Sequence, residues 1–599
     1  MKRMGVFALL FLGFLGCQTQ KDIRSEAQVF IDQYSKKFQE LYYAAAQAEW
    51  KSNTMIVEGD STNAIATRKA NEALAAFTGS VENIQKIQQF LQHKNQLTLL
   101  QVRQLEAMLY MAANNPQTVP EVVKARIKAE TEQTEKLFGF DFKINGQSVT
   151  TNEIDEILRT ENNLEKRLKA WEASKEVGKP LKEGLVKLRD LRNKTVQALD
   201  YPDYFTYQVS EYGMTTEEML QLTQQLIREV WPLYRELHTF ARYELARRYG
   251  VDPVPDYLPA HWLPNRWGQD WNAMIQVEGM DLDAVLKEKT AEWIMKQGER
   301  FYISLGFPPL PRTFWERSSL YPLPKDAPYK KNNHASAWHL DLDKDVRSLM
   351  SVIPNAAWYE TVHHELGHVY YFMAYSRPQV PILLRSGANR AFHEAMGSLM
   401  GLAAMQKPFL AHLNLLPEHS ETDNIQVLLK EALNYIVFIP WSAGVMTEFE
   451  KRLYADNLPA DRFNQTWWEL KKEYQGIVPP EHRDETFCDA ASKTHINNDA
   501  AQYYDYALSF VLLFQLHDYI SRNILKQDPH ATNYYGSKEV GIFLERLMAP
   551  GATQDWRELL REVLGEEMSA RAMVKYFAPL SDYLKKVNRG RTYTLPETI

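Results

Sequence analysis

Thr361-Val-His-His-Glu-Leu-Gly-His-Val-Tyr-Tyr371 decides how the rest of the chain is read. It places His364 and His368 four residues apart, with Glu365 beside the first. On a helix, residues at i and i+4 lie one above the other, with Cβ atoms about 5–6 Å apart. Two imidazoles so placed can take neighbouring corners of a tetrahedral Zn²⁺, and a glutamate next to the first can draw a proton from a water that attacks a carbonyl. Taken alone, the stretch also reads as a surface helix that carries two histidines. Its surroundings separate the two readings.

A hydrolytic zinc needs a further protein ligand and an open position. Pro378 and Pro381 break the helix after Phe372, and a second helical pattern restarts around Ala388-Asn-Arg-Ala-Phe-His-Glu-Ala-Met-Gly397. The chain can therefore turn back and lay Glu394 against the first helix, the two-His, one-Glu arrangement of gluzincins. The metzincin alternative needs Gly and His at positions held here by Tyr371 and Ala374, and it is dropped. His363 and His393 each face about 100° of helix turn away from their ligand neighbour, which assigns them supporting places.

Length and composition set the frame. At 599 residues the chain exceeds what one compact core usually supports, so two lobes are expected within one domain, 18–599. Apolar residues at 45% and charged ones at 24% describe a globular protein, and a net charge of −7 gives no reason to expect nucleic acid as a partner. Spaced apolar residues with few breakers predict helices over Asn163–Lys175, Thr216–Arg248, Asp283–Leu305 and Asn424–Leu453, while strand signals are sparse. Proline-rich connections fall at 251–264, 307–328 and 478–480. A mainly α fold follows.

At the N-terminus, Met1-Lys-Arg-Met4 and the apolar run Gly5 to Gly16 read as a signal peptide, too short to span a membrane. The segment ends in Phe14-Leu-Gly-Cys17, which resembles a bacterial lipobox whose cysteine is lipidated; simple cleavage is the alternative. The expected product is exported, periplasmic or at the cell surface, and anchored to a membrane through Cys17. Lipidation would leave Cys488 without an intrachain partner, so no disulfide is expected.

His363-His-Glu-Leu-Gly-His368, Tyr371-Phe-Met373, Gly387-Ala-Asn389 and Phe392-His-Glu-Ala395 resemble the active-site block of the angiotensin-converting enzyme family of zinc dipeptidyl carboxypeptidases. Colinear matches include Leu258-Pro-Ala-His261, Trp267 with Gln269 and Trp271, His334-Ala-Ser-Ala-Trp338, Trp467-Trp468, Tyr474-Gln-Gly476, Lys493 with His495, and Tyr534-Tyr-Gly-Ser-Lys-Glu539. The likeness runs from roughly Glu40 to Leu584, and motifs this numerous and ordered are specific. It implies a helical clamshell around a deep channel, one zinc at the channel floor, and a lid formed by N-terminal helices, roughly 28–145. By the same resemblance His364, His368 and Glu394 hold the zinc, and Glu365 is the general base and then the proton donor. His495 and Tyr506 match donors to the developing oxyanion, and His334 and Ala335 match positions that hold the substrate backbone. Gln269, Lys493 and Tyr503 match a clamp on the terminal carboxylate of an oligopeptide. The match around them needs one inserted residue, which leaves Tyr504 as a substitute for Tyr503 or Tyr506.

Departures from the family pattern carry expectations of their own. Ser398 stands where the family usually has an aspartate that orients a ligand histidine. Asp505 stands in place of an arginine that binds an activating chloride in vertebrate members, so no chloride requirement is expected, and Lys471 replaces another arginine of a chloride site. The activity implied is removal of C-terminal dipeptides from oligopeptides. A monocarboxypeptidase, an endo-acting oligopeptidase and an inactive peptide-binding surface lipoprotein are the alternatives.

Overall fold

The computed structural model describes residues 22–57, 59–277, 282–416 and 423–599; Cys17 and the segment read as a signal peptide lie outside them. Helices dominate these residues, as their apolar spacing predicts. The named strands form only short two-stranded ladders: Phe142–Ile144 with Gln147–Val149, Leu258–Pro259 with Ile477–Val478, and Ser336–His339 with Val346–Leu349. No described helix is both long and apolar enough to cross a membrane.

Local signals account for the helix boundaries. Leu164–Lys175 begins after Asn163, whose side chain accepts from the Lys166 N–H. Thr216–Tyr249 opens with a capping box in which Thr215 and Glu218 satisfy each other's backbone N–H, and it stops at Gly250, which takes the left-handed conformation (φ +67°). The helix expected over Asp283–Leu305 is instead two, Leu282–Leu286 and Ala291–Leu305. The break falls before Thr290, whose hydroxyl caps the second helix at the Trp293 N–H, a competition with helix continuation that apolar spacing does not register. Asn424–Leu453 is helical but passes through a widened turn, Pro440–Met446, where the proline denies the backbone a donor. The connection 307–328 also holds a short helix, Arg312–Arg317.

Among the N-terminal helices, Ile23–Thr54, Val81–Leu91 and Leu99–Asn114 bury Ala27, Ile31, Phe38, Ile87, Phe90, Leu105 and Met108 in an apolar cluster separate from the main core. Tyr42, Ala45, Ala46 and Glu49 of the first helix line a cavity of about 500 Å³, whose opposite wall is Ala337, Trp338 and His339 of a strand together with Phe372, Tyr375 and His393.

The motif lies on the helix Ala356–Tyr375, started by Asn355, whose side chain accepts from the Trp358 N–H at 2.8 Å. Glu394 lies on Arg390–Ala404, started in the same way by Asn389 at the Phe392 N–H. The helices run antiparallel, with His368 against His393, His364 against Gly397, and Glu360 against Gly401. Glycine makes this approach possible. A Cβ on Gly367 would lie 2.9 Å from the Gly397 Cα, and one on Gly397 would lie 2.9 Å from the His364 imidazole. Gly397→Ala should raise helix propensity by about 1 kcal/mol yet displace His364. We expect zinc to bind at least about tenfold more weakly to that variant, and an unchanged affinity in a competition titration with a chelator would contradict the packing.

Candidate active site

The helix crossing brings His364, His368 and Glu394 together, with one ligand atom from each inside a 4.8 Å span. His364 Nε2 is 3.2 Å from His368 Nε2 and 3.9 Å from Glu394 Oε2. Donors about 2.0–2.2 Å from one Zn²⁺ at tetrahedral angles are separated by roughly 3.3–3.6 Å, so the set fits the metal. The ring chemistry fits as well. Burial pushes both histidines down to about 4, which leaves neutral imidazoles with a free lone pair. Glu365 is buried at 7% exposure, and burial together with the charge of Glu394 pushes its carboxyl up to about 8. A dication among these ligands would oppose that rise while leaving a carboxylate suited to proton transfer.

The supporting histidines differ in what they do. His363 is fully buried; its Nδ1 bonds the Tyr359 carbonyl at 2.7 Å, while its own carbonyl accepts from the Tyr302 hydroxyl at 2.6 Å. His393 stacks on Tyr371, and its Nδ1 lies 3.2 Å from Nδ1 of His368. An imidazole therefore steadies His368, a task the family pattern had suggested for an aspartate at the place of Ser398.

These groups open into a cavity of about 700 Å³ that His334, Ala335, Arg390 and Tyr506 also line. His334 is exposed there, its Nδ1 2.8 Å from the Ala335 carbonyl. Tyr506 is held up to about 12 by burial, so it keeps its proton, and its hydroxyl lies 3.3 Å from His495 Nε2. Burial, then the nearby Lys493, pushes His495 down to about 4. Two neutral donors thus stand side by side. Tyr504 is excluded from this role, for it is fully buried with its ring edge-on to Phe205 and Tyr212.

Gln269, Lys493 and Tyr503, far apart in sequence, converge. Lys493 Nζ donates to Gln269 Oε1 at 2.7 Å and the Tyr503 hydroxyl donates to the same oxygen at 3.4 Å. The amine lies 4.2 Å from the Trp267 ring centroid. Burial, followed by the charges of Arg266 and Lys175, lowers Lys493 to about 7. The Tyr503 ring lies 4.9 Å from both the His495 and the Tyr506 rings, which joins the two groups of residues.

Lys471 has an evident local task. It donates to the Trp267 carbonyl at 2.6 Å and to Gln475, which in turn donates to the Gly268 carbonyl at 2.9 Å. Gly268 has φ +64°, and a Cβ there would press on Ile477 and Leu263 at 3.0 Å, so the loop presenting Gln269 is pinned from the helix Phe463–Gln475. Asp505 is buried, accepts from the Tyr212 hydroxyl at 2.5 Å and lies 3.4 Å from Arg390 Nε. Burial pushes its carboxyl up, against the pull of Arg390. Arg390, Tyr212 and Asp499 escape motif reading: nothing in their local sequence announces that they meet. Cys488 is buried and has no disulfide partner among the described residues.

Sequence comparison agrees with this geometry. The profile described as angiotensin-converting enzyme matches residues 21–595. Angiotensin-converting enzyme of Mesocricetus auratus is 30% identical over 596 residues, covering 96% of this chain and 44% of the relative. The Mus musculus protein is 30% identical over 598 residues with the same coverages, 96% and 44%, and that of Bos taurus is 30% identical over 581 residues, covering 94% and 43%. The chain spans less than half the length of these curated relatives. With a profile that matches nearly from end to end, the chain belongs to the angiotensin-converting enzyme family.

Proposed function

We propose that the chain is a zinc-dependent dipeptidyl carboxypeptidase that removes C-terminal dipeptides from oligopeptides. The observation that carries this reading is the convergence of Lys493 and Tyr503 on Gln269 beside the His495–Tyr506 pair. A cation with neutral donors in a water-poor pocket selects an anionic chain end. The monocarboxypeptidase branch carries an arginine at the place of Gln269 and an apolar residue at that of Lys493. Here the neutral Gln269 with a cationic Lys493 favours room for two residues between the clamp and the scissile bond.

His364, His368 and Glu394 would hold the zinc, which when bound polarises the scissile carbonyl and acidifies the attacking water. Glu365, buried and close to Glu394, takes the proton of that water and delivers it to the leaving amine. His495 and Tyr506 donate to the oxygen that gains charge, a preorganised contact worth roughly 2.7–4 kcal/mol of barrier. His334 and Ala335, on the cavity wall, hold the peptide backbone. The helices that line the adjoining cavity act as a lid, admitting flexible peptides and excluding folded proteins.

Glu365→Gln should keep zinc and lose about 10²–10⁴-fold in kcat, because an amide cannot accept the proton; turnover near the parent rate would remove Glu365 from its role. Mass spectrometry of digested peptides should show dipeptides, and single C-terminal residues or internal fragments would favour the alternatives. Lys493→Ala should weaken cleavage of free acids about tenfold or more beyond its effect on amidated peptides. Since the Lys493 amine loses its proton near pH 7, kcat/KM for free acids should fall as pH rises through about 7. Lys493→Arg should abolish that fall, and an identical profile in the variant would contradict the clamp.

A further inference from the structure

Arg390 opens the helix Arg390–Ala404, one turn before the ligand Glu394, and lines the same cavity. Its Nη1 and Nη2 donate to the two carboxylate oxygens of Asp499 at 3.1 and 2.9 Å, while its Nε faces Asp505 Oδ2 at 3.4 Å. Each partner leads to an oxyanion donor. The Asp499 N–H closes the short helix of His495 by donating to the His495 carbonyl at 2.9 Å. Asp505 is the residue before Tyr506. Tyr212 joins the same pieces, since its hydroxyl donates to Asp505 at 2.5 Å and accepts from the Ala391 N–H at 3.3 Å. Glu211 is a further carboxylate of the cavity wall whose charge Arg390 faces.

We propose that Arg390 is a positioning residue: bridging Asp499 and Asp505, it sets His495 and Tyr506 in register with the helix that carries Glu394. The inference rests on the function proposed above. Chemistry points to arginine, because a planar guanidinium presents two separate donor edges, and one can grip Asp499 while the other faces Asp505. An ammonium is a point charge and cannot hold both in fixed directions. Asp505, buried at 2% exposure, would otherwise lack a cation, and the turn that begins Tyr504–Tyr519 would lose its tie to the metal-ligand helix.

The test uses the full zinc-loaded chain with Arg390→Gln, Arg390→Lys, Tyr506→Phe and the Arg390→Gln/Tyr506→Phe double variant. We expect Arg390→Gln to lower kcat about 10–100-fold with KM changed less than about threefold and zinc retained, and Arg390→Lys to recover part of the loss. In the Tyr506→Phe background, Arg390→Gln should cost at least about threefold less than it does in the parent, since one of the two donors it positions is gone. Additive losses, or Arg390→Lys no better than Arg390→Gln, would overturn the proposal. A crystal structure of Arg390→Gln, or of Arg390→Lys should the former not fold, decides independently of activity. The Tyr506 hydroxyl should leave its place 3.3 Å from His495 Nε2, and an unmoved pair would overturn the positioning role. If the parent protein releases no dipeptides, the functional reading fails while this structural comparison still stands.

Discussion

The close approach of two helix backbones at Gly367 and Gly397 is the constraint on which the site depends. With no Cβ on either residue, Ala356–Tyr375 and Arg390–Ala404 pack antiparallel at a separation that places the His364 ring over Gly397. That geometry brings Glu394 within ion-pair distance of His364 and His393 beside His368. Asparagine caps at Asn355 and Asn389 fix where each helix starts, and hence which residues face the seam. Ligand set, supporting imidazole and cavity wall all follow from this seam.

Around it, charge is arranged by partners more than by solvent. Burial disfavours ionised side chains unless a counter-charge or hydrogen bonds compensate, and three buried groups near the cavity have an identifiable compensation. Lys471 is taken up by a carbonyl and Gln475, Lys493 by Gln269 and the Trp267 face, and Asp505 by Tyr212 and Arg390. The acceptor of Lys493 is a neutral amide, which under the proposed function would leave the amine for a counter-ion that arrives with the substrate.

Much of this was legible in the residues themselves, and the part that was not has a physical reason. His364, Glu365 and His368 announce themselves because helix geometry turns a four-residue spacing into proximity. Glu394 follows from the proline break and the restart of apolar spacing. Gln269 and Lys493 could be joined only through resemblance, because a tertiary contact across that much chain leaves no trace in local pattern. Arg390, Tyr212 and Asp499 stayed hidden for the same reason, whereas His393 was given a supporting place that its contact with His368 fits. The break before Thr290 was missed since a single hydroxyl at an N-cap outweighs several apolar positions.

Under the proposed function the helix seam holds one zinc by two imidazoles and a carboxylate. Metal analysis of the purified chain combined with zinc-edge X-ray absorption tests it most directly. One zinc per chain with nitrogen and oxygen donors at about 2.0–2.2 Å, lost in His368→Ala, is expected. Full zinc occupancy in His368→Ala, or a sulfur donor at about 2.3 Å, would contradict it.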